Sequence, residues 1–376
     1  MASRRIHVAV LDTDVPVPRV YAARGLYSSQ FRVLLQAAAA RLNTSSLLKN
    51  GPVEIETTAY DAVGGVLPPL ELLRNKPRSV QDDGDRSFGP LGPIDAILIT
   101  GSSASAYNLE MCPWIVQLQS FIHTVYENYP EVKIFGSCFG HQIVAQALLS
   151  WHNPRFAGRQ LESTFAAGSD ITTEKGYVSV AACPLGYEVG VIPISLRDEF
   201  VNAFPPLATL PDRKLRLQLI HGDRVMALSD ETAALANPTK PEPNLPAPWI
   251  NIGSTEKCPI QGLYYPARIL TYQGHFEFDT FVNRETCIEF GRRAGWPAED
   301  VAAFLYQVGD LPQSGVEDND DSKLAAEIVL LFLAGEDGGA NARTLAGEKV
   351  DDDDDDVRER VLSPNGLITP PLLDVR

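Results

Sequence analysis

The stretch Lys133-Ile134-Phe135-Gly136-Ser137-Cys138-Phe139-Gly140-His141-Gln142 is a short apolar strand that turns through small residues into the apolar run Ile143 to Leu149. So sharp a strand-to-helix turn sets its central side chain at the carboxyl edge of a sheet, above the positive end of a helix. A thiol there is favoured as thiolate, the nucleophilic form. Most free cysteines are instead inert core residues. The glycines at 136 and 140 argue against that for Cys138, since glycine is needed where backbone turns tightly and not where a small side chain fills a core.

Outward from this elbow, the order of apolar segments specifies the sheet. Ile6 to Leu11 reads as a first strand, Gln30 to Leu42 as a helix and Val53 to Tyr60 as a second strand. Residues 61–93, rich in Pro, Gly and Asp, read as a loop before the buried strand Ile94 to Thr100 and a helix near Trp114 to Tyr129. Strands alternating with helices imply right-handed crossovers and a parallel sheet covered on both faces. Beyond the elbow come the strands Glu188 to Leu196, Leu215 to Ile220 and Arg268 to Tyr272, expected to be a mixed extension of the same sheet, with a Pro-rich insertion at 237–248.

A nucleophile needs a base, and the base an orienter. His275 and Glu277 stand two apart after an apolar strand, so in extended chain they project to the same side and the carboxylate can fix the imidazole tautomer. His141 lies on the elbow helix and reads as a supporting residue rather than a rival base.

Gly136-Ser137-Cys138-Phe139-Gly140-His141-Gln142, followed far downstream by Gly274-His275-Phe276-Glu277, resembles the two signatures of the class I glutamine amidotransferases. Ile97 to Ser102 resembles that family's strand ending in the oxyanion glycine loop, and Ile220-His221-Gly222-Asp223-Arg224-Val225 resembles the His-Gly-Asp stretch of its GMP-synthetase-like branch. Gly186 to Gly190 and Ser254 to Gly262 fit stand-alone members of that branch, so the resemblance spans roughly residues 5 to 295. Two positions depart from it. Phe276 stands where many members have proline, and Ile220 where serine is common.

The resemblance implies an α/β fold with a flavodoxin-like, three-layer, open mixed sheet, largely parallel, and the nucleophile elbow at its carboxyl edge. It implies hydrolysis of a γ-glutamyl amide through a thioester on Cys138, with His275 moving the proton and Glu277 orienting it. The amides of Phe139 and the Gly101 loop would hold the oxyanion, and Gln142, His221 and Asp223 would line the substrate site, Asp223 receiving an α-ammonium. The Gly101-Ser102-Ser103-Ala104 loop lacks the lysine and spacing of a phosphate-binding P-loop. No cofactor is called for, and no histidine-carboxylate group has metal spacing. The expected ligand is glutamine or a γ-glutamyl small molecule, with ammonia passed to a synthetase or acceptor subunit. A free-standing γ-glutamyl peptidase acting on glutathione-like conjugates and a non-catalytic interaction protein remain alternatives.

Composition sets the outer bounds. With 376 residues, 44% of them hydrophobic, the chain can bury a sizeable core. A net charge of −16 argues against a nucleic-acid binder, which needs clustered Lys and Arg. No apolar run approaches a membrane span, and Met1-Ala2-Ser3-Arg4-Arg5 leads straight into a strand, so the expected location is cytoplasmic, with the nucleus also open. Five widely spaced cysteines fit reduced thiols rather than a disulfide framework. The expected division is a catalytic domain at 1–300, a C-terminal helical extension at 301–348 containing Val301 to Tyr306 and Lys323 to Leu333, and an acidic tail at 349–376. In the tail, Asp351 to Asp356 read as a solvated spacer.

Overall fold

The computed structural model describes residues 3–78, 90–150, 177–227, 245–309 and 320–337. The tail 349–376 and most of the Pro-rich insertion lie outside them. The strands are β1 (Arg4–Asp12), β2 (Val53–Asp61), β3 (Ala96–Ile99), β4 (Lys133–Ser137), β5 (Val178–Ala182), β6 (Glu188–Leu196), β7 (Lys214–His221), β8 (Asp223–Ala227), β9 (Ile250–Asn251), β10 (Gly253–Ser254), β11 (Leu263–Tyr265) and β12 (Ile269–Tyr272). The helices are α1 (Pro18–Arg24), α2 (Tyr27–Leu42), α3 (Trp114–Asn128), α4 (Phe139–Leu149), α5 (Asp198–Ala203), α6 (Thr280–Ala294), α7 (Ala298–Val308) and α8 (Ser322–Leu333).

The central sheet has seven strands in the order β2-β1-β3-β4-β12-β11-β9. The first five are parallel, and β11 and β9 close one edge in antiparallel register. Its parallel part follows the flavodoxin-like order, in which ligands bind outside the carboxyl ends of the strands. Alternate residues along the strands face two separate cores. Val8, Val10, Leu98 and Phe135 pack with α2 and α8. Ala9, Leu11, Ile97 and Ile134 pack with α3 and α4 on the other face. Strands buried on both faces read as near-continuous apolar runs, as β1 and β3 do.

One sequence expectation is corrected. Strands β6 and β7 do not extend the central sheet: with β10 they form a separate three-stranded sheet, while β5 and β8 pair by themselves. The extension of the central sheet comes from β9 and β11, of only two and three residues. The smaller sheet is tied to the central one where the His275 amide donates to the Gln218 carbonyl of β7 at 2.8 Å.

Residue 300 falls inside α7, and α8 beyond it is built into the α2 core, with Ile328, Val329, Leu330 and Phe332 fully buried. Truncating a buried aromatic leaves a cavity as well as losing transfer free energy, so Phe332→Ala is expected to lower stability by about 3–5 kcal/mol in urea denaturation. A loss under ~1 kcal/mol would show α8 to be an appendage. Among the described residues no helix is long and apolar enough to cross a membrane.

Candidate active site

Strand β4 delivers Cys138 to the carboxyl edge in a conformation that side chains rarely adopt, φ 50° and ψ −105°. Strain of this kind costs about 1–3 kcal/mol and persists only where the surroundings impose it. Here they do: the Cys138 amide donates to the Tyr272 carbonyl of β12 at 2.8 Å, and its carbonyl accepts from the Gln142 amide at 3.1 Å. Both flanking glycines sit at close approaches. A Cβ at Gly136 would lie 2.4 Å from the Gly140 carbonyl oxygen, and one at Gly140 would lie 2.3 Å from that of Ile99. The glycines therefore let the start of α4 press against the ends of β3 and β4.

His275 lies just after β12, in an isolated bridge to Gln218 between bends and not on a continued strand. It meets Glu277 nonetheless: Nδ1 is 2.7 Å from Glu277 Oε1. The ring stacks on Phe278 with centroids 4.0 Å apart, which fixes its plane. Ser137 Oγ donates to the same Glu277 oxygen at 3.0 Å. Burial disfavours a charged His275, but the charges of Glu277 and Cys138 and hydrogen bonds to both outweigh it and raise its pKa to about 10. Those bonds place the imidazole against the Cys138 thiol.

Gly101 completes this cluster. A Cβ there would stand 3.1 Å from His275 Cε1 and 3.5 Å from Cys138 Cβ. Thr13 Oγ1 donates to the Gly101 carbonyl at 3.0 Å, and Asp14 accepts from the Ser103 amide and hydroxyl at 2.7 and 2.6 Å. The residues after β1 thus hold the loop after β3. Phe139, at the first turn of α4, has a buried ring tilted against Trp114. Amides in a first helical turn have no intrahelical acceptor.

Cys138 opens into a cavity of about 380 Å³ shared with Ser102, Gln142, His221, Asp223 and Arg293, and walled by Tyr187 and Trp296. The sequence candidates Gln142, His221 and Asp223 therefore converge with Cys138 on one space. Gln142 Nε2 donates to the Asp223 carbonyl at 3.2 Å and to Gln273 Oε1 at 3.1 Å. Asp223 Oδ1 accepts from the Tyr107 hydroxyl at 3.1 Å. His221 Nδ1 lies 2.9 Å from the Asp223 carbonyl, and its Nε2 3.1 Å from Glu188 Oε2.

His141 does not line the cavity that Cys138 opens into. It is fully buried, with Nδ1 2.8 Å from Thr271 Oγ1 and Nε2 3.2 Å from the Ile260 carbonyl. Burial pushes its pKa down to about 3, so it is a neutral strut between α4 and the sheet edge. Of the two departures from the family pattern, Phe276 packs edge-on against Phe31 and Phe135, anchoring the loop that carries His275. Ile220 lines the cavity. Sequence reasoning gave no role to Ser137, Glu188, Gln261 or Gln273. The two-residue spacing that pairs His275 with Glu277, applied one step earlier, points to Gln273.

No protein-family model matches the chain. A glutamine amidotransferase-like protein of Schizosaccharomyces pombe is 29% identical over 277 residues, which are 73% of this chain and 81% of that protein. A Saccharomyces cerevisiae protein named for the same family is 30% identical over 224 residues, 59% of this chain and 67% of its own length. The chain belongs to the class I glutamine amidotransferase family. Among solved structures, a glutamine amidotransferase from Methylobacillus flagellatus aligns with 89% of this chain and 94% of its own at 14% identity and a TM-score of 0.46. One from Thermotoga maritima aligns with 88% and 96% at 15% identity and a TM-score of 0.44. As a class I glutamine amidotransferase-like protein, this chain places Cys138, His275 and Glu277 together at the carboxyl edge of its sheet, although the first two lie 137 positions apart in sequence.

Proposed function

We propose that the chain hydrolyses a γ-glutamyl amide through a thioester on Cys138. The observation that carries this reading is the position of His275, seated between the Glu277 carboxylate and the Cys138 thiol and beside Gly101. The Cys138 sulfur bonds to the side-chain amide carbon, and the carbonyl electron pair moves to an oxyanion facing the amides of Phe139 and the Gly101 loop. Preorganised donors of this kind are each worth about 10²–10³ in rate. Collapse breaks the carbon–nitrogen bond, and His275 gives its proton to the departing ammonia or amine. Water then attacks the thioester, His275 takes the water's proton, and glutamate leaves with the thiolate restored. Both N–H groups of Gln142 are engaged within the protein, so its Oε1 is the part of the amide offered to a substrate donor, and Asp223 is the carboxylate for an α-ammonium.

Two fates of the nitrogen fit this chemistry. In one, ammonia passes to an acceptor on a separate partner. In the other, the chain is a free-standing γ-glutamyl peptidase, a reading favoured by the Tyr187–Trp296 aromatic pair, centroids 4.5 Å apart, on the wall of the 380 Å³ cavity. Incubating the purified full chain with glutamine and with γ-glutamyl conjugates tests both. Glutamate release from either supports the hydrolase, and release from neither, with or without a partner subunit, removes it.

The electrostatics add a pH prediction. Because His275 is raised to about 10, its imidazolium persists far above the ordinary histidine range, and the alkaline limb of kcat/KM, which reports the free enzyme, is expected near that value. After burial, which acts the other way, the largest influence is the Glu277 charge, so Glu277→Gln should move the limb down by about one unit or more. An unmoved limb would mean that Glu277 does not set the charge state of His275. Linkage has the same sign: the imidazolium's contribution to stability is complete below about 6.5 and is lost as pH rises through about 10.

A further inference from the structure

We propose that Gln273 is a further catalytic residue: it donates a side-chain N–H to the Cys138 sulfur, and a hydrogen-bond chain beginning outside the triad dictates which end of its amide faces that sulfur. This rests on the reading of Cys138 as the nucleophile.

Gln273 Nε2 stands 3.5 Å from Cys138 Sγ, and the side chain is fully buried. A side-chain amide has chemically opposite ends, so the proposal depends on which end faces the sulfur. The structure leaves one consistent assignment. The Asp223 main-chain carbonyl is an acceptor and nothing else, so the Gln142 atom 3.2 Å from it is the amino group. That same amino group lies 3.1 Å from Gln273, whose facing atom must then be the oxygen. The remaining end of Gln273, the one turned to Cys138, is N–H. A flip of either glutamine would set two donors or two acceptors against each other in a buried space, a mismatch that costs about as much as leaving the group unpaired.

Both ends of this chain are held. The Asp223 carbonyl also accepts from His221 Nδ1 at 2.9 Å, and His221 Nε2 faces Glu188 Oε2 at 3.1 Å. On the other side, the Gln273 amide donates to the Gln261 carbonyl at 2.9 Å. Gln261 Nε2 donates to Glu188 Oε2 and to Thr255 Oγ1, both at 3.0 Å. Glu188 thus anchors the network from two directions, and a buried carboxylate is tolerated only where it is paired in this way. Gln142, His221, Glu188 and Gln261 are positioning residues, and Gln273 alone among them touches the reacting atom. An N–H donor aimed at a sulfur favours the sulfur charged, since hydrogen bonds to ionised partners are about twice as strong as neutral ones. That charge vanishes when the thioester forms and returns when water cleaves it, so the donor acts on the states before attack and after release.

The test is the pH dependence of Cys138 alkylation by iodoacetamide in the full chain, read on the Cys138 peptide by mass spectrometry so that the other four cysteines do not contribute. Besides the amide donor, the titratable or charged groups around the sulfur are His275 with Glu277 behind it, the buried Tyr27 and, across the cavity, His221, Asp223 and Arg293, all unchanged in the variants. Gln273→Met removes the donor and is expected to raise the alkylation midpoint by about one pH unit or more, the size of a hydrogen bond to a charged group. Gln273→Glu keeps the oxygen that Gln142 needs, turns a second acceptor toward the sulfur and should raise it further, which covers the case in which the Met variant does not fold. In both, kcat for glutamate release should fall about tenfold or more, with KM within about twofold. A folded variant of either kind that alkylates with the wild-type midpoint overturns the proposal and leaves the nucleophile reading standing. Wild-type alkylation of Cys138 that neither glutamine nor a γ-glutamyl conjugate slows would overturn both.

Discussion

Cys138→Ser is expected to abolish glutamate release, lowering kcat/KM by about 10³-fold or more while leaving the urea midpoint near that of wild type. Position and chemistry both enter. The elbow conformation at φ 50° is imposed by backbone bonds to Tyr272 and Gln142, which do not depend on the side-chain atom, so the variant should fold. The hydroxyl, however, is a far weaker acid than the thiol, and an imidazole already carrying its proton cannot take another from serine. A donor at 3.5 Å from sulfur is likewise spaced for the larger atom and not for oxygen. Steady-state glutamate release with denaturation of the same sample checks both halves. Wild-type turnover in the folded variant would remove Cys138 as nucleophile.

His275→Asn should approach the loss seen with Cys138→Ser, by about 10²–10⁴-fold in kcat, because it removes the imidazole hydrogen-bonded to the Cys138 thiol. His141 cannot substitute, since it is fully buried, neutral and bonded to Thr271 and Ile260. Glu277→Gln should be milder than either, as it leaves the proton carrier in place and lowers only the stability of its charged form. The order of the three rates is therefore the informative result. An inactive His141→Asn beside an active His275→Asn would reverse the assignment of the base.

Much of this arrangement was legible in the sequence because it is written in local rules. The elbow announced itself through glycines two residues to either side of Cys138, and the structure shows the carbonyls that exclude a Cβ at both. Strand β6 runs over Glu188–Leu196 as its apolar pattern indicated, and β1, β2 and α3 differ from expectation only at their ends. What was not legible depends on long-range packing. Strands β9, β10 and β11 are two or three residues long, too short for any periodicity to register. Helix α6 carries few buried apolar residues on a mostly polar sequence, so its core face has little contrast. The partition of β6 and β7 into their own sheet is set by which edges are left to pair, and segment patterns do not encode that.

The site divides in the same way. Cys138, His275, Glu277 and Gly101 are marked by spacing and motif. Ser137, Gln261, Gln273 and Glu188 are ordinary polar residues in sequence, and they acquire meaning only when β4, β6 and the segment after β12 are brought together. Position 276 shows a third case. Its phenylalanine departs from the family pattern, and the reason is visible only in three dimensions, where the ring locks the loop carrying His275 to Phe31 and Phe135 in the core.

The proposed function rests on attack by Cys138, poised by His275 and Glu277, on the γ-carbonyl of a glutamyl substrate. Its most direct test is peptide mapping by mass spectrometry after treating the full chain with a diazo-ketone analogue of glutamine, with and without excess glutamine. One covalent adduct is expected, on the peptide carrying Cys138, suppressed by glutamine and absent from His275→Asn. An unmodified Cys138, or an adduct on Cys112, Cys183, Cys258 or Cys287 in its place, would contradict it.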